Sequence, residues 1–414
     1  MNRSHGHDVI VVGAGVVGTA IALFLAREGV DVGLVDRGDA ASGTSGATMG
    51  NLSLHNRMPG PTWDLAMASR SLYEEWSQSL GEDFEFEASS SLMLIEDEDK
   101  VPWAQQRVQV QRQAGLDVEF IPPRRLGELD RSIAPDLAGA VHCHSSARLN
   151  PFLLCRSLAR AAEALGARFY RHTEITGVRV SQGAVAGVAT ATGTLDCDVL
   201  VDAAGPEADR IAAMAGASIP IVRDRGVVVV TECLPSLGVR VKGECTEGSP
   251  TEPRRDDLSA RYNIHLVFSQ TRSGNCLIGR SGVRGDVGLD TGALEAAIGI
   301  VRRAQRFIPV LSRTSMIRMF CGVRPYSLDL LPVLGEVSEP RGLVAACGFG
   351  DKGFALGAAS ARLVARSIVD GETKIAEVFS PKRFCSQPGE PSERRKTARP
   401  SCTEIARRRH YGKE

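Results

Sequence analysis

Glycines and one acidic residue near the start of the chain have the types and spacing that a dinucleotide-binding site requires. In residues 8–18, DVIVVGAGVVG, Gly13 and Gly15 leave room for a pyrophosphate, and Gly18 lets a helix pack closely on the preceding strand. Asp36 follows 18 residues after Gly18, where a carboxylate accepts hydrogen bonds from an adenosine ribose. The spacing predicts a site for an adenine dinucleotide and leaves FAD and NAD both open.

A strand, a helix and a second strand have to position these residues. The β-branched residues 9–12 predict the first strand. The helix that begins at about Val16 points the positive end of its dipole at the phosphates. Arg37, beside Asp36, fits either a 2′-phosphate or, as we expect, a solvated position at the end of the second strand.

A run of small and hydroxyl residues follows the second strand. Residues 40–51 read AASGTSGATMGN, which is compatible with a flexible loop. Its position directly after Asp36 favours a second contact with the cofactor phosphates, made by Ser42, Thr44 and backbone amides.

Composition restricts the class of protein. The 414 residues suffice for about two structural units, and 43% hydrophobic with 24% charged residues is typical of a globular enzyme. Residues 381–414 hold ten Lys or Arg against four Glu, a basic tail that we predict to be disordered. The body shows neither the clustered basic face of a nucleic-acid-binding protein nor an apolar run of the roughly 20 residues that a membrane span needs.

Cysteines and histidines give further expectations. The ten cysteines are scattered without a CxxC motif, which is typical of a reducing compartment. The first seven residues are polar and lead directly into a strand, so we expect no signal peptide and a cytoplasmic protein. The eight histidines form no recognisable metal-binding set; His142 and His144 alternate on a predicted strand, and we expect no metal.

Three separated segments resemble the superfamily of FAD enzymes that contains D-amino-acid oxidase, glycine oxidase and sarcosine oxidase. The first is GAGVVG with Asp36 and the small-residue loop. The second is VLVDAAG, residues 199–205, similar to the family's strand that returns to the FAD site. The third is GVRPYSLDLLPVLG, residues 322–335, followed by GFGDKGFALGAASARLVA, residues 348–365. The resemblance covers about residues 8–372 and implies FAD as the cofactor.

The third segment also has a physical interpretation of its own. Gly348, Gly350 and Gly353 form a turn that opens a helix, whose free N–H groups and dipole favour negative charge. In a flavoenzyme that charge develops at the flavin N1 and C2 carbonyl; an ordinary glycine-rich helix entry is the alternative. The resemblance further implies FAD contacts by Ile175, Ala204, Gly205 and Phe354.

Arg324 is the residue that we expect to bind substrate. Its planar guanidinium matches a carboxylate in two hydrogen bonds, and the resemblance implies this role for the arginine of the RP segment. A structural pair with Asp329 is the alternative. Tyr326 is expected in the pocket wall. Lys352 departs from the expected loop sequence and either tunes the flavin, contacts substrate or points into solvent.

The predicted fold is α/β, with an FAD-binding Rossmann-like domain and an inserted antiparallel-sheet substrate domain. The FAD-binding domain is discontinuous, and the assigned ranges are 8–82, 141–218 and 318–380 for FAD binding, 83–140 and 219–317 for substrate binding, and 381–414 for the tail.

The resemblance implies an FAD-dependent oxidoreductase that oxidises the C–N bond of an amino acid or secondary amine by hydride transfer to flavin N5. The substrate would be of the D-amino acid, glycine, sarcosine or opine class. One alternative is an FAD-binding subunit of a heteromeric amine or opine dehydrogenase, with residues 244–261 and the tail as surfaces for partner subunits. An NAD(P)-dependent dehydrogenase is the other. The electron acceptor stays open between oxygen, a quinone and a dye.

Overall fold

A computed structural model describes residues 6–247, 256–285, 288, 292–371 and 373–384. The helices and strands of its first half are β1 (Gly6–Val12), α1 (Val16–Arg27), β2 (Val32–Val35), β3 (Asn51–Leu52), α2 (Trp63–Ser79), β4 (Glu87–Ala88), β5 (Ser91–Ile95), α3 (Val101–Gln113), β6 (Val118–Ile121), α4 (Pro123–Leu129), β7 (Gly139–Cys143), β8 (Ala147–Arg148), α5 (Pro151–Ala164), β9 (Arg168–Tyr170), β10 (Ile175–Ser181), β11 (Ala184–Thr190) and β12 (Gly193–Asp202).

The second half continues from the end of β12. Its elements are α6 (Ala208–Met214), β13 (Val222–Cys233), β14 (Val241–Glu244), α7 (Asp257–Arg261), β15 (Val267–Gln270), β16 (Asn275–Gly279), β17 (Val283–Arg284), α8 (Ala293–Phe307), β18 (Met316–Tyr326), β19 (Val333–Glu336), β20 (Leu343–Cys347) and α9 (Gly353–Val369).

The first sheet has a core of parallel strands, as the βαβ pattern at the start of the chain requires. These strands lie in the order β9-β2-β1-β12-β20, and β19 adds to β20 in the antiparallel sense. β2 is buried along its whole length and β1 along most of it, which explains their nearly continuous Val, Ile and Leu residues. The carboxyl ends of β1, β2 and β12 therefore meet at one edge of the sheet, where a doubly wound fold binds its ligand.

An antiparallel ribbon extends the first sheet beyond β12. β10 and β11 pair through a turn at Gln182 and Gly183, which have φ of +51° and +73°. This pair of left-handed residues is what a tight hairpin turn requires.

The second sheet is mainly antiparallel. Its order is β17-β13-β16-β15-β14-β5-β7-β6, and β18 pairs with β13 over most of its length. Helix α8 presents an apolar stripe to the neighbouring core, because Ala296, Ile300, Ala304 and Phe307 recur at helical spacing and are buried. The third, small sheet of the described residues joins β3, β8 and β4.

The sheets differ in two places from the predicted domain boundaries. β7 pairs with β5 and β6, and β18 pairs with β13, so residues 139–143 and 316–326 belong to the second sheet. The described residues as far as Arg383 pack as one compact unit, which makes the two-domain division an interpretation of the sheets.

The beginning of the predicted tail is ordered. Residues 381–384 form a 3₁₀ turn in which Arg383 pairs with Asp329 at 2.8 Å. Residues 385–414, the rest of the predicted tail, lie outside the described residues. Within the described ranges, no disulfide joins the cysteines. No helix there has the length and apolarity that crossing a membrane demands.

Candidate functional site

The turn after β1 is close-packed in the way that a phosphate-binding turn requires. Gly13 has φ of +103°, and a Cβ there would collide with the carbonyl oxygen of Ala203. A Cβ on Gly18 would collide with the carbonyl oxygen of Gly13. Both positions therefore require glycine, and α1 begins directly after Gly15 with its N-terminus facing the turn.

Asp36 is held at the end of β2 by backbone amides. Its Oδ2 accepts a hydrogen bond from Ala14 N at 2.6 Å, and its Oδ1 accepts one from Gly38 N at 2.8 Å. Ser42 Oγ lies 3.4 Å from Oδ1. Because a carboxylate has about four acceptor positions, Asp36 keeps capacity for a ribose hydroxyl.

The small-residue loop connects the turn to the second sheet. Thr44 Oγ1 donates to the carbonyl of Val323 at 2.6 Å, while Ser45 Oγ accepts the N–H of Val16 at 3.0 Å. These bonds fix the loop between the start of α1 and strand β18, so the loop is anchored at both sides of the site.

A cavity of about 620 Å³ runs along this edge of the first sheet. Residues predicted to contact the cofactor line it: Gly13, Gly15, Val16, Asp36, Arg37, Ser42, Thr44, Ile175, Ala204, Gly205, Gly348, Gly350 and Gly353. Two predicted contacts do not. Gly18 packs α1 against the turn, and Phe354 is buried with its carbonyl accepting a hydrogen bond from Tyr73 Oη at 2.8 Å.

The cavity fits FAD better than a nicotinamide dinucleotide because two helix N-termini face it. One is the start of α1, and the other is the start of α9 at Gly353. A Cβ on Gly353 would have no atom within 4 Å, so space opens in front of α9. The first N-terminus suits a pyrophosphate, and the second suits the charge that develops on a reduced flavin.

Charged side chains surround Tyr326 beside the α9 turn. Arg280 Nη1 lies 2.7 Å from Asp351 Oδ2, and a Cβ on Gly350 would collide with the Tyr326 ring. Burial raises the pKa of Tyr326 to about 12, and the charge of Asp351 acts in the same direction. Burial opposes ionisation of Asp351, but Arg280 and then Arg57 outweigh it and lower its pKa to about 2. Tyr326 is therefore neutral and Asp351 charged at neutral pH.

Arg324 lies next to the cavity and is held by an acidic partner other than the one considered from the sequence. Its Nη1 donates to Asp224 Oδ2 at 2.8 Å and to the carbonyl of Ser281 at 2.9 Å. Asp329 pairs instead with Arg383. Val323 and Pro325 line the cavity, but Arg324 does not.

Lys352 is the N-cap residue of α9. Its Nζ donates to the carbonyl of Leu330 at 3.3 Å, and among the described residues it is not part of the cavity lining. This hydrogen bond directs the ammonium toward the loop before β19.

Sequence reasoning missed several charged residues of this region. They are Arg57, Asp224, Arg280 and Asp351. Only Asp351 carried a signal, since it stands inside the predicted glycine turn between Gly350 and Lys352. The others lie on distant parts of the chain, and only the pairing of the strands brings them together.

The sequence as a whole matches known flavoenzymes. The model of the family described as "DAO: FAD dependent oxidoreductase" matches residues 8–367. The chain is 28% identical over 380 residues to the glycine oxidase of Geobacillus kaustophilus (strain HTA426), covering 89% of this chain and 95% of that protein. It is 27% identical over 435 residues to hydrogen cyanide synthase subunit HcnC of Pseudomonas aeruginosa, covering 94% and 98%. It is 26% identical to sarcosine oxidase subunit beta of Rhodobacter capsulatus, covering 91% and 88%.

Solved structures have the same fold. The glycine oxidase of Geobacillus kaustophilus superimposes with a TM-score of 0.81 at 25% identity, covering 92% of this chain and 99% of that chain. The L-proline dehydrogenase of P. horikoshii superimposes with a TM-score of 0.78 at 23% identity, covering 92% and 98%.

Proposed function

The chain belongs to the DAO family of FAD-dependent oxidoreductases, and we propose that it oxidises the C–N bond of a small amine or amino acid that carries a carboxylate. Glycine, D-amino acids, sarcosine and opines are the candidate substrates. The observation that carries the proposal is the position of Arg324, a largely buried arginine next to residues that line the cavity and oriented by Asp224. FAD, when bound, would supply the two-electron oxidation.

The chain's own residues would hold the cofactor at both ends of the cavity. Gly13 and Gly15 would face the pyrophosphate with the α1 N-terminus, and Asp36 would accept hydrogen bonds from the ribose. Gly348 and Gly353, at the second helix N-terminus, would face the flavin ring. Arg37, Ala204 and Gly205 are among the other predicted contacts, which would complete the walls of the cavity.

Arg324 would bind the substrate carboxylate through the edge of the guanidinium that Asp224 leaves available. Among the described residues, both of its hydrogen bonds use Nη1, so Nη2 and Nε remain for a ligand. Charge-assisted bonds of this kind are about twice as strong as neutral ones. Tyr326, neutral and packed on the glycine turn, would form the adjoining wall and donate its hydroxyl proton to an acceptor.

Lys352 would act through charge at the α9 turn. Burial raises the pKa of Asp351, but Arg280, Arg57 and then the Lys352 ammonium together lower it. The ammonium therefore contributes to keeping this carboxylate ionised beside the flavin end of the cavity.

An anaerobic reduction screen tests the proposed activity. The purified yellow protein is mixed with glycine, sarcosine, D-amino acids, D-proline and opines, and separately with amines that lack a carboxylate, and the flavin absorbance is followed in the absence of oxygen. Bleaching by at least one of these carboxylates supports the proposal. Bleaching only by amines without a carboxylate, or a colourless protein that reduces NAD, would overturn it.

A second candidate is an FAD-binding subunit that works with partner chains. Two relatives, HcnC and sarcosine oxidase subunit beta, carry the word subunit in their names. Strand β18 also begins with exposed apolar side chains, Met316, Ile317 and Met319. If the isolated chain binds FAD but no candidate amine bleaches it, while a co-purified partner restores bleaching, this second function is the correct one.

A further inference from the structure

Two histidines and a glutamate meet at the outer edge of the second sheet, away from the cavity lining. β6 pairs with β7 so that Glu119 lies directly opposite His142, and His144 follows His142 by two residues on the same face. One ring nitrogen of each histidine and one carboxylate oxygen all lie within 4.8 Å of one another. The sequence alone suggested only that His142 and His144 alternate on a strand.

The ring of His142 has a buried nitrogen without a hydrogen-bond partner in the described part of the chain. The His142 side chain is only 6% exposed, and its Nε2 has no hydrogen-bond partner among the described residues. A buried polar atom without a partner typically costs about 1–3 kcal/mol, so such atoms often mark the place of a ligand. A metal ion bound through this nitrogen would satisfy it.

We propose that Glu119, His142 and His144 bind a divalent transition metal ion, with Zn²⁺ as the best match. Two imidazole nitrogens and a carboxylate oxygen are a common set of three protein ligands for zinc, and water then occupies the fourth position.

The three ligand atoms, which lie within 4.8 Å of one another, would have to draw closer to bind a zinc ion. A tetrahedral zinc ion with bonds of about 2.1 Å holds its ligand atoms about 3.4 Å apart. His144 Nε2 and Glu119 Oε1 are already 3.5 Å apart. Both of these side chains are about a third exposed, so they can turn toward the buried His142, and solvent reaches the open position.

The charges around the three ligands are mixed. Arg125 Nη1 lies 3.7 Å from Glu119 Oε2, the carboxylate oxygen that faces away from His144. Asp117 adds a negative charge near His142. A metal ion bound to Glu119 through Oε1 would leave Oε2 for Arg125.

Such an ion would fasten the edge of the second sheet. β6 is the last strand of its sheet order, and edge strands pair with one neighbour only. A metal bridging Glu119 on β6 with two histidines of the β7 region would add a link between these segments, and binding to the folded state alone stabilises it.

Metal counting on the full-length FAD-loaded protein tests the proposal. The protein is stripped with a chelator, dialysed against Zn²⁺, and analysed for metal per chain, with competition titrations for affinity. We expect one Zn²⁺ per chain in the wild type, an affinity at least about tenfold weaker in His144→Ala and Glu119→Gln, and an unchanged FAD spectrum. His142→Ala should lose the ion as well, but its buried position makes the two partly exposed variants the decisive ones.

His172→Ala is the matched control. His172 pairs with Asp39 at 3.6 Å on an exposed surface, so it is a histidine–carboxylate pair outside the proposed site. This variant should bind Zn²⁺ like the wild type. The proposal is overturned if the wild type binds no stoichiometric Zn²⁺, if His144→Ala and Glu119→Gln bind it unchanged, or if His172→Ala weakens binding as much as they do.

Discussion

Arg324 and Asp224 face each other across β18 and β13, with Nη1 of the arginine 2.8 Å from Oδ2 of the aspartate. The two side chains are 15% and 6% exposed. Removing one partner of an ion pair with so little solvent strongly destabilises the folded protein, because the other charge is left without its partner. The pair therefore fixes the plane of the guanidinium before any substrate arrives, and a preorganised group loses less freedom on binding.

Gly226 tests whether the position of the Arg324 side chain matters. A Cβ at residue 226 would collide with the guanidinium, so Gly226→Ala should displace it. We expect KM for the carboxylate substrate to rise by about tenfold while the FAD content stays the same, because a displacement near 1 Å at a reacting site has effects of this size or larger. Steady-state kinetics measures this.

Gly243→Ala is the control for that variant. A Cβ at residue 243 would lie 3.5 Å from the nearest atom, the carbonyl oxygen of Leu266, which is an ordinary contact. Equal KM values for the two variants would show that KM rises whenever a strand glycine is replaced, and that the position of the Arg324 side chain does not cause the rise.

Gly13→Ala should reduce FAD binding. The new methyl group collides with Ala203 O at a φ of +103° and pushes the turn away from the pyrophosphate. We expect purified protein with less FAD per chain than the wild type and an FAD affinity at least about tenfold weaker, which corresponds to about 1.4 kcal/mol or more. Flavin absorbance per chain measures the FAD content. Gly29→Ala has a similar φ of +77° but no atom within 4 Å of the new Cβ, so it should lose stability and keep its FAD.

Asp351 should act through its charge at every working pH. Because its pKa is lowered to about 2, its stabilising pair with Arg280 is fully present above the ordinary carboxyl range and is lost only as the pH falls toward about 2. Tyr326, with a pKa of about 12, stays neutral over the same range. Asp351→Asn should therefore lower kcat/KM by the same factor between about pH 6 and 9, without moving either limb of the profile. A shifted limb would show that Asp351 titrates in this range.

The buried pair of Lys242 and Asp130 should contribute strongly to stability. The two charged atoms are 3.0 Å apart, and the side chains are 0% and 1% exposed. Asp130→Ala leaves the ammonium buried without its partner and should cost about 3–5 kcal/mol of unfolding free energy. Asp83→Ala breaks the exposed pair with Arg272 and should cost less than about 1 kcal/mol. Urea unfolding compares them, and equal losses would contradict the role of burial.

The first βαβ unit was predictable because its chemistry is local. Gly13, Gly18 and Asp36 lie within a single strand–turn–helix–strand unit, and the predicted helix start at Val16 is the observed one. The fold class and the cofactor were likewise predicted, and the family match and solved structures confirm them. In these regions, the neighbours in sequence determine which residue type each position needs.

The cluster of charged residues beside the cavity could not be predicted from neighbours in sequence. Asp224 and Arg324 are 100 residues apart and become neighbours only through the register of β13 with β18. The predicted boundary at residue 318 fell inside β18 for the same reason, since the apolar pattern does not reveal which sheet a strand joins. The link between Glu119 and His142 likewise depends on the pairing of β6 and β7.

The most direct test of the central claim compares wild-type protein with Arg324→Ala in anaerobic stopped-flow reduction by the carboxylate amine that bleaches the wild type best. Loss of charge-assisted hydrogen bonds worth about 3 kcal/mol predicts an apparent affinity weaker by roughly 100-fold, with FAD content and spectrum unchanged. Arg313→Ala, at an exposed arginine of the turn before β18, should behave like the wild type. An Arg324→Ala protein that keeps its FAD and binds the carboxylate substrate as tightly as the wild type would contradict the account.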